Sequence, residues 1–492
     1  MNRRSFLEAT SGFLGGVVAV EAIERATPFG LQRLVNEGRD LLSKQRIRLS
    51  ELNGLIERAR PYLAEAQPPG EARRVEDRTF DIDVSFEAAD PISGIAEASL
   101  SLEGIYPPHI PSQAIPQEPE RKVALGPPET RDGWQRYSQR FSELKGGKEY
   151  RLTLTVKNSE EKVNTAQMKV PYVREFTNLT RKASIIVDAH YMPFFEPGTW
   201  NAHWDRENGT PILSQYESGD EFVTARHIDW ASGFGIKSFS LNSAGPLDHS
   251  DARIRRIISN PLIGDMNFFM IVDTFSFLGT EGPWNIDDPA IRERLLEVTR
   301  YVVENFVSHP NYLRLQGRRP IYYWSSISWI GDVASLTREF RGIANESGIE
   351  LLIIGDPVHF YEPKIERIKP FDAVTQWANY DADPKRLKNL DKKIDTYYGR
   401  WSKMAKSANV AFIPSALPGF RKPSQLDKFA VLPRSIESFT SQLEIAARYL
   451  DPDLKLLFLT SFNDWTEDTQ LEPSGEDGFA YLDLVKQFVE SF

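Results

Sequence analysis

From residue 184 onward, short apolar runs alternate with longer stretches of helical periodicity, and no other feature constrains the fold as strongly. The runs occupy 184–187, 237–241, 268–272, 320–324, 351–354, 373–375, 410–413 and 456–459. Their lengths suit buried strands. The segments between them repeat apolar residues every three or four positions, most clearly over 289–306, 333–345 and 433–449. Strands separated by helical crossovers lie parallel, and eight of them predict a (β/α)8 barrel over 184–492. A doubly wound open sheet would use the same alternation, but no glycine-rich phosphate loop follows any of the runs.

In such a barrel the residues that follow each strand share one rim, and that rim carries the chemistry. After the first run come His190, Tyr191, Glu196, His203 and Trp204; after the second, Asn242; after the third, Asp273 and Thr274. Trp324 ends the fourth, Asp356 and His359 follow the fifth, and Trp377 and Tyr380 follow the sixth. The eighth run leads into Asn463, Asp464, Trp465 and Glu467. Two carboxylates beside an aromatic ring are the equipment for cutting a glycosidic bond, since rings stack on sugar faces and carboxyls move protons. A single Asp and Glu on a surface loop would look the same in isolation. Their aromatic and acidic company on one rim is what favours a sugar site. Neither H-x-H nor H-E-x-x-H spacing occurs, so neither metal nor other cofactor is expected.

The chain has 492 residues, too many for one ordinary domain, and its 41% hydrophobic and 26% charged residues describe a globular protein. A net charge of −10 argues against nucleic acid or an anionic membrane as the main partner. With no cysteine, disulfides, thiolate metal sites and thiol nucleophiles are excluded.

Upstream of the barrel the texture changes. Over 75–174, Phe80, Ile82, Val84 and Phe86 alternate with polar residues, as do Leu100 with Leu102 and Leu152 with Leu154 and Val156. That period predicts an antiparallel β-sandwich of the immunoglobulin or fibronectin kind, with the proline-rich stretch 107–128 as a long loop. Residues 30–67 carry helical spacing and predict an amphipathic helical segment, stopped by Pro68-Pro69-Gly70. Residues 1–26 resemble a twin-arginine signal: Arg3-Arg4 stands before a weakly apolar stretch too short to span a bilayer. Export by the twin-arginine machinery is expected, to an extracellular, periplasmic or cell-surface location. No transmembrane span is expected.

The eighth-run loop also carries a family resemblance. Ser461-Phe462-Asn463-Asp464-Trp465-Thr466-Glu467-Asp468-Thr469-Gln470-Leu471-Glu472-Pro473 resembles the S-F-N-E-W-H-E-G-T-Q-I-E-P signature of glycoside hydrolase family 99 and its WbsX-like relatives. Ala189 to Phe194 with His203-Trp204 is similar to that family's opening Y-Y-P-W…H-W segment. Gln215 to Asp220, with Tyr216, then His227 to Ala231 and Gly235-Ile236, resembles its G-x-Y-x-S-x-D…H-I-x-W-A-x-x-A-G-I-D run. Asn311 to Pro320 resembles its Y-L-x-x-x-G-R-P segment.

The resemblance implies a retaining, endo-acting α-mannosidase type of barrel that works without metal. It implies Asp464 as the base on the sugar 2-hydroxyl, giving an anhydro-sugar, and Glu467 as the acid that protonates the leaving oxygen. Tyr191, His203, Trp204, Tyr216, Trp324, Tyr380, Asn463, Trp465 and Glu472 are the expected substrate-binding residues. The chain departs from the pattern at Asp464, whose carboxyl is one methylene, about 1.3–1.5 Å, shorter than the family's Glu. Thr466 and Asp468 stand for its His and Gly, and Leu241-Asn242-Ser243-Ala244 replaces its aromatic S-W-W-G. The expected partner is therefore a glycan or polysaccharide of unspecified sugar. A glycan-binding surface protein without turnover, or a WbsX-like protein of polysaccharide biosynthesis, are the alternative readings.

Overall fold

The computed structural model describes residues 46–47, 79–89, 94–131, 134–159, 161–197, 208–246, 248–279, 282–360, 364–380, 383–423 and 429–492. The chain divides into two compact units, Met1–Thr177 and Asn178–Phe492.

In the first unit two four-stranded antiparallel sheets enclose one core. One sheet has the order Arg46–Ile47, Thr79–Ala89, Trp134–Lys145, Glu129–Arg131; the other has Arg121–Ala124, Ile95–Ile105, Lys148–Asn158, Val163–Val173. Phe80, Ile82, Val84 and Phe86 share that core with Leu100, Leu102, Leu152, Leu154 and Val156, as their alternation requires. The strand Trp134–Lys145 is harder to read in sequence. Phe80 pairs with Leu144 and Ile82 with Phe141, so an extra residue on the longer side forms a bulge and breaks the period of two.

Two expectations are corrected here. The 107–128 stretch is not all loop, because it contains a short helical turn, Ser112–Ala114, and the edge strand Arg121–Ala124. The helical segment 30–67 lies outside the described residues except at Arg46 and Ile47. These two pair antiparallel with Ala89 and Ala88, which an α-helix at that point would forbid. The signal-like segment 1–26 also lies outside the described residues.

The second unit is an α/β barrel. Its parallel ladder runs Ala411–Ile413, Ala373–Thr375, Leu351–Gly355, Arg319–Trp324, Asn267–Asp273, Ser238–Ser243, Ile186–Tyr191, Leu456–Leu459, Ser415–Ala416. The two end segments are successive pieces of one strand, the seventh in chain order, interrupted at Pro414. Proline has no N–H for the ladder, but its carbonyl still accepts from the Phe458 N–H at 3.0 Å, so the ring of strands returns to its start.

Helices follow the strands with clear starts. Asp220, Asp288, Asp332 and Ser435 each cap a helix by accepting from backbone N–H groups, and Pro289 occupies the first turn of its helix. Helix Glu221–Gly233 is buried at every position after the first, so it has no polar face and gives a weak periodic signal. No helix among the described residues is long and apolar enough to cross a membrane.

Candidate active site

The loop after the eighth strand is built from buried residues that grip one another. The Phe462 N–H donates to the His190 carbonyl at 2.7 Å, which ties the loop to the first strand. The chain then doubles back, with Leu471 N–H donating to Ser461 and Glu472 N–H to Phe462. Ser461 Oγ accepts from the Asp464 N–H at 2.7 Å and sits 2.9 Å from Thr469 Oγ1. Backbone amides thus place Asp464 and Glu467 before any ligand is considered.

The two acids have different surroundings. Asp464 is 5% exposed, and its Oδ1 accepts from Thr466 Oγ1 at 2.5 Å, Thr466 N–H at 3.0 Å and Glu467 N–H at 3.2 Å. Burial and the neighbouring Glu467 charge push the Asp464 carboxyl up to about 7, against the downward pull of Thr466 and Lys422. Glu467 is more open and is paired at Oε1 with Lys422 Nζ, 2.7 Å away.

Behind this pair lies a buried network that holds most of the expected sugar-binding residues. Glu472, 2% exposed, accepts from Tyr216 O–H at 2.6 Å and Trp465 Nε1–H at 2.8 Å, and its other oxygen lies 3.0 Å from His227 Nε2. Tyr191 O–H meets His227 Nδ1 at 2.9 Å. Donation from His227 Nε2–H to Glu472 and from Tyr191 O–H to Nδ1 satisfies both contacts. Asn463 exchanges two hydrogen bonds with the Met192 backbone, at 2.7 and 3.0 Å, and donates to Tyr216 at 3.3 Å. Tyr191, Tyr216, Asn463, Trp465 and Glu472 are therefore brought together, but as enclosed groups that bond one another. Each polar atom without a partner there would cost about 1–3 kcal/mol, so the network is a rigid base for the loop.

The rim aromatics fall into two groups. Half-buried Trp324 lies 5.3 Å from the Trp377 ring, and Trp377 stacks on His190 at 4.5 Å with planes 4° apart. His190 itself is inside the barrel, where its Nδ1 lies 2.7 Å from Ser240 Oγ, which donates to Asp188 Oδ2. Burial holds His190 neutral, pushing it down to about 3, and raises Asp188 to about 8. Tyr380 belongs to a second cluster: it stacks on Phe420 at 3.8 Å and donates its O–H to the Ala430 carbonyl. His203 and Trp204 lie outside the described residues. Asp273 and Asp356 serve the backbone, the first capping the helix Thr274–Leu278 and the second accepting from Ser325 and Ile327 N–H groups.

Three residues that bear on the site had no place among the expected site residues. His227 was visible only within the family segment, and its role needs the fold that brings it against Glu472. Asn208 donates through Nδ2 to the carbonyls of both Arg421 and Trp465, at 3.0 and 3.1 Å. Lys422 lies in a connection without strand or helix periodicity, and nothing in its neighbourhood marks it.

No protein-family model matches the chain, and no curated protein matches it. Solved structures do. A glycoside hydrolase-like protein aligns with a TM-score of 0.52 and 22% identity, over 62% of this chain and 94% of its own. The family 99 endo-α-mannosidase of Bacteroides thetaiotaomicron aligns with a TM-score of 0.51 and 18% identity, over 62% of this chain and 96% of its own. At such identities the likeness is one of fold, and the fold is a barrel like that of the family 99 enzyme.

Proposed function

We propose that the protein is a glycoside hydrolase that cleaves an α-linked glycan or polysaccharide, α-mannosides included, with retention, at Asp464 and Glu467. The observation that carries this reading is the pair itself. Two carboxyls stand on the loop after the eighth strand of a glycosidase-type barrel, one buried and holding its proton toward neutrality, the other held beside a cation. One carboxyl gives a proton to the leaving oxygen and the other draws the proton from the adjacent 2-hydroxyl. The half-buried Trp324 and Trp377 offer ring faces for the sugar. Tyr191, Tyr216, Asn463, Trp465 and Glu472 act through the loop they hold, and His203 and Trp204 are proposed as contacts of the bound glycan.

Around this core we infer export by the twin-arginine route and an immunoglobulin-like fold for the sandwich. The test is a panel of α- and β-linked oligosaccharides and polysaccharides incubated with the full chain. Release of reducing ends from α-linked members supports the reading. Binding without release by any member points instead to a glycan-binding protein on a hydrolase-like barrel.

A further inference from the structure

The opposite end of the barrel carries a cavity that the carboxyl pair does not use. Its volume is about 460 Å³, and Arg318, Arg338, Arg341, Lys369 and Asp372 are among the residues that line it. Arg318 immediately precedes the strand Arg319–Trp324, and Asp372 immediately precedes Ala373–Thr375. Asp464 and Glu467, by contrast, follow the strand Leu456–Leu459. In a ring of parallel strands, residues before and after the strands lie on opposite rims.

The cavity is assembled from separate elements. Helix Val333–Asn345 supplies Ala334, Thr337, Arg338 and Arg341, whose spacing of three and four places them on one stripe. Asp372 then sets two guanidiniums side by side. Its Oδ1 accepts from Arg318 Nη1 and its Oδ2 from Arg341 Nη2, both at 2.8 Å, while the Ile353 N–H also donates to Oδ2 at 2.8 Å. Arg318 gives one further bond, to Gln316 Oε1 at 3.2 Å, and Arg341 reaches the Thr337 and Pro370 carbonyls at 3.4 Å. A guanidinium has five N–H donors, so both retain donors beyond these bonds.

An ion-pair clasp between strand and helix would need only Arg318, Arg341 and Asp372. Arg338 and Lys369 are surplus to it. Both are exposed, and neither forms an ion pair among the described residues. Glu339, next to Arg338 in the chain, is paired with Arg292. Four cations therefore line one concavity against a single carboxylate, in a chain whose net charge is −10. Like charges gathered in a concave site repel one another and focus the field on whatever anion enters. A lone carboxylate would balance one of the cations. A phosphate monoester brings two charges and three acceptor oxygens, which match guanidinium forks and an ammonium.

We propose that this cavity binds a phosphate group, as free phosphate or as the monoester of a larger molecule, with Arg338 and Lys369 as contacts and Asp372 as the positioning residue for Arg318 and Arg341. The site is separate from Asp464 and Glu467, so it stands whether or not a glycan is cleaved.

The experiment is calorimetric titration of the full chain with inorganic phosphate, glycerol phosphate and acetate at matched ionic strength. Binding of a phosphate probe at one site, with a dissociation constant of about 1 mM or tighter and acetate at least about 10-fold weaker, is expected. Inorganic phosphate binding without glycerol phosphate identifies free phosphate as the occupant; glycerol phosphate binding equally or better identifies a monoester. Arg338→Ala and Lys369→Ala should each weaken the phosphate probe by about 10-fold. Hydrogen exchange of the wild type locates the site without any substitution, since phosphate should protect segments 334–341 and 369–372. Failure of both phosphate probes to bind at about 10 mM overturns the proposal. Acetate binding as tightly as phosphate, affinity indifferent to both substitutions, or protection confined to other segments overturns it too.

Discussion

Glu472 and Asp464 sit on the same loop, both almost wholly buried, and their surroundings make them different kinds of acid. Glu472 spreads its contacts over both oxygens, with Tyr216 and Trp465 on one and His227 on the other. Asp464 takes three donors on a single oxygen and faces a second carboxylate. Burial beside a like charge favours the protonated form of a carboxyl, whereas hydrogen bonds donated to it favour the anion. Burial alone does not separate the two. The neighbouring Glu467 charge, added to burial, raises Asp464.

The largest expected effect that would break this contrast is on Glu472. Glu472→Ala leaves two hydroxyl or indole donors and His227 without an acceptor, and should cost about 3–5 kcal/mol of stability, read as a fall in denaturation midpoint. A loss below about 1 kcal/mol would mean that the network is not the base of the loop. Next comes Asn208→Ala, which removes its bonds to the Arg421 and Trp465 carbonyls and should cost about 1–2 kcal/mol. It should also loosen Lys422, so the Asp464 titration should broaden or shift in the same variant.

Asp464 predicts a pH dependence of the opposite sense to that of a salt-bridged carboxylate. Its pKa in the folded protein, about 7, lies above the ordinary value of 3.8, so the native state holds a proton that the unfolded chain has released. Its contribution to stability is full below about pH 4 and declines as pH rises toward 7. Asp464→Asn should flatten that part of the wild-type stability profile and be the more stable protein above neutral pH. Parallel profiles for wild type and variant would place Asp464 among the structural acids. The smallest effect belongs to Lys422→Met, whose partly exposed ion pair should change stability by less than about 1 kcal/mol while moving the titration of the pair.

Much of this architecture is legible in the chain. The runs 351–354, 373–375 and 456–459 fall on observed strands, and 333–345 is observed as the helix Val333–Asn345. They are legible because strands and amphipathic helices in a barrel impose periods on sequence. Helix Glu221–Gly233 is not, since burial on every side erases the period. The strand Trp134–Lys145 is hidden by its bulge. At the site, Asp464 and Glu467 stand out by type, spacing and position after a strand. What sequence could not show is the division of labour among neighbouring residues. Trp465 and Glu472 are expected from the family resemblance as sugar contacts, and in the structure they bond each other inside the protein. Lys422 and Asn208 come from connections with no pattern, and only the closure of the barrel brings them to Glu467 and Trp465.

The central claim is that the pair after the eighth strand performs hydrolysis. The most direct measurement is the initial rate of sugar release by Glu467→Gln and Asp464→Asn relative to wild type, on the first glycan found to be cleaved and with folding checked by thermal denaturation. The account predicts that each variant unfolds cooperatively and loses on the order of 100-fold to 10,000-fold in rate. Retention of the wild-type rate by either folded variant would contradict it.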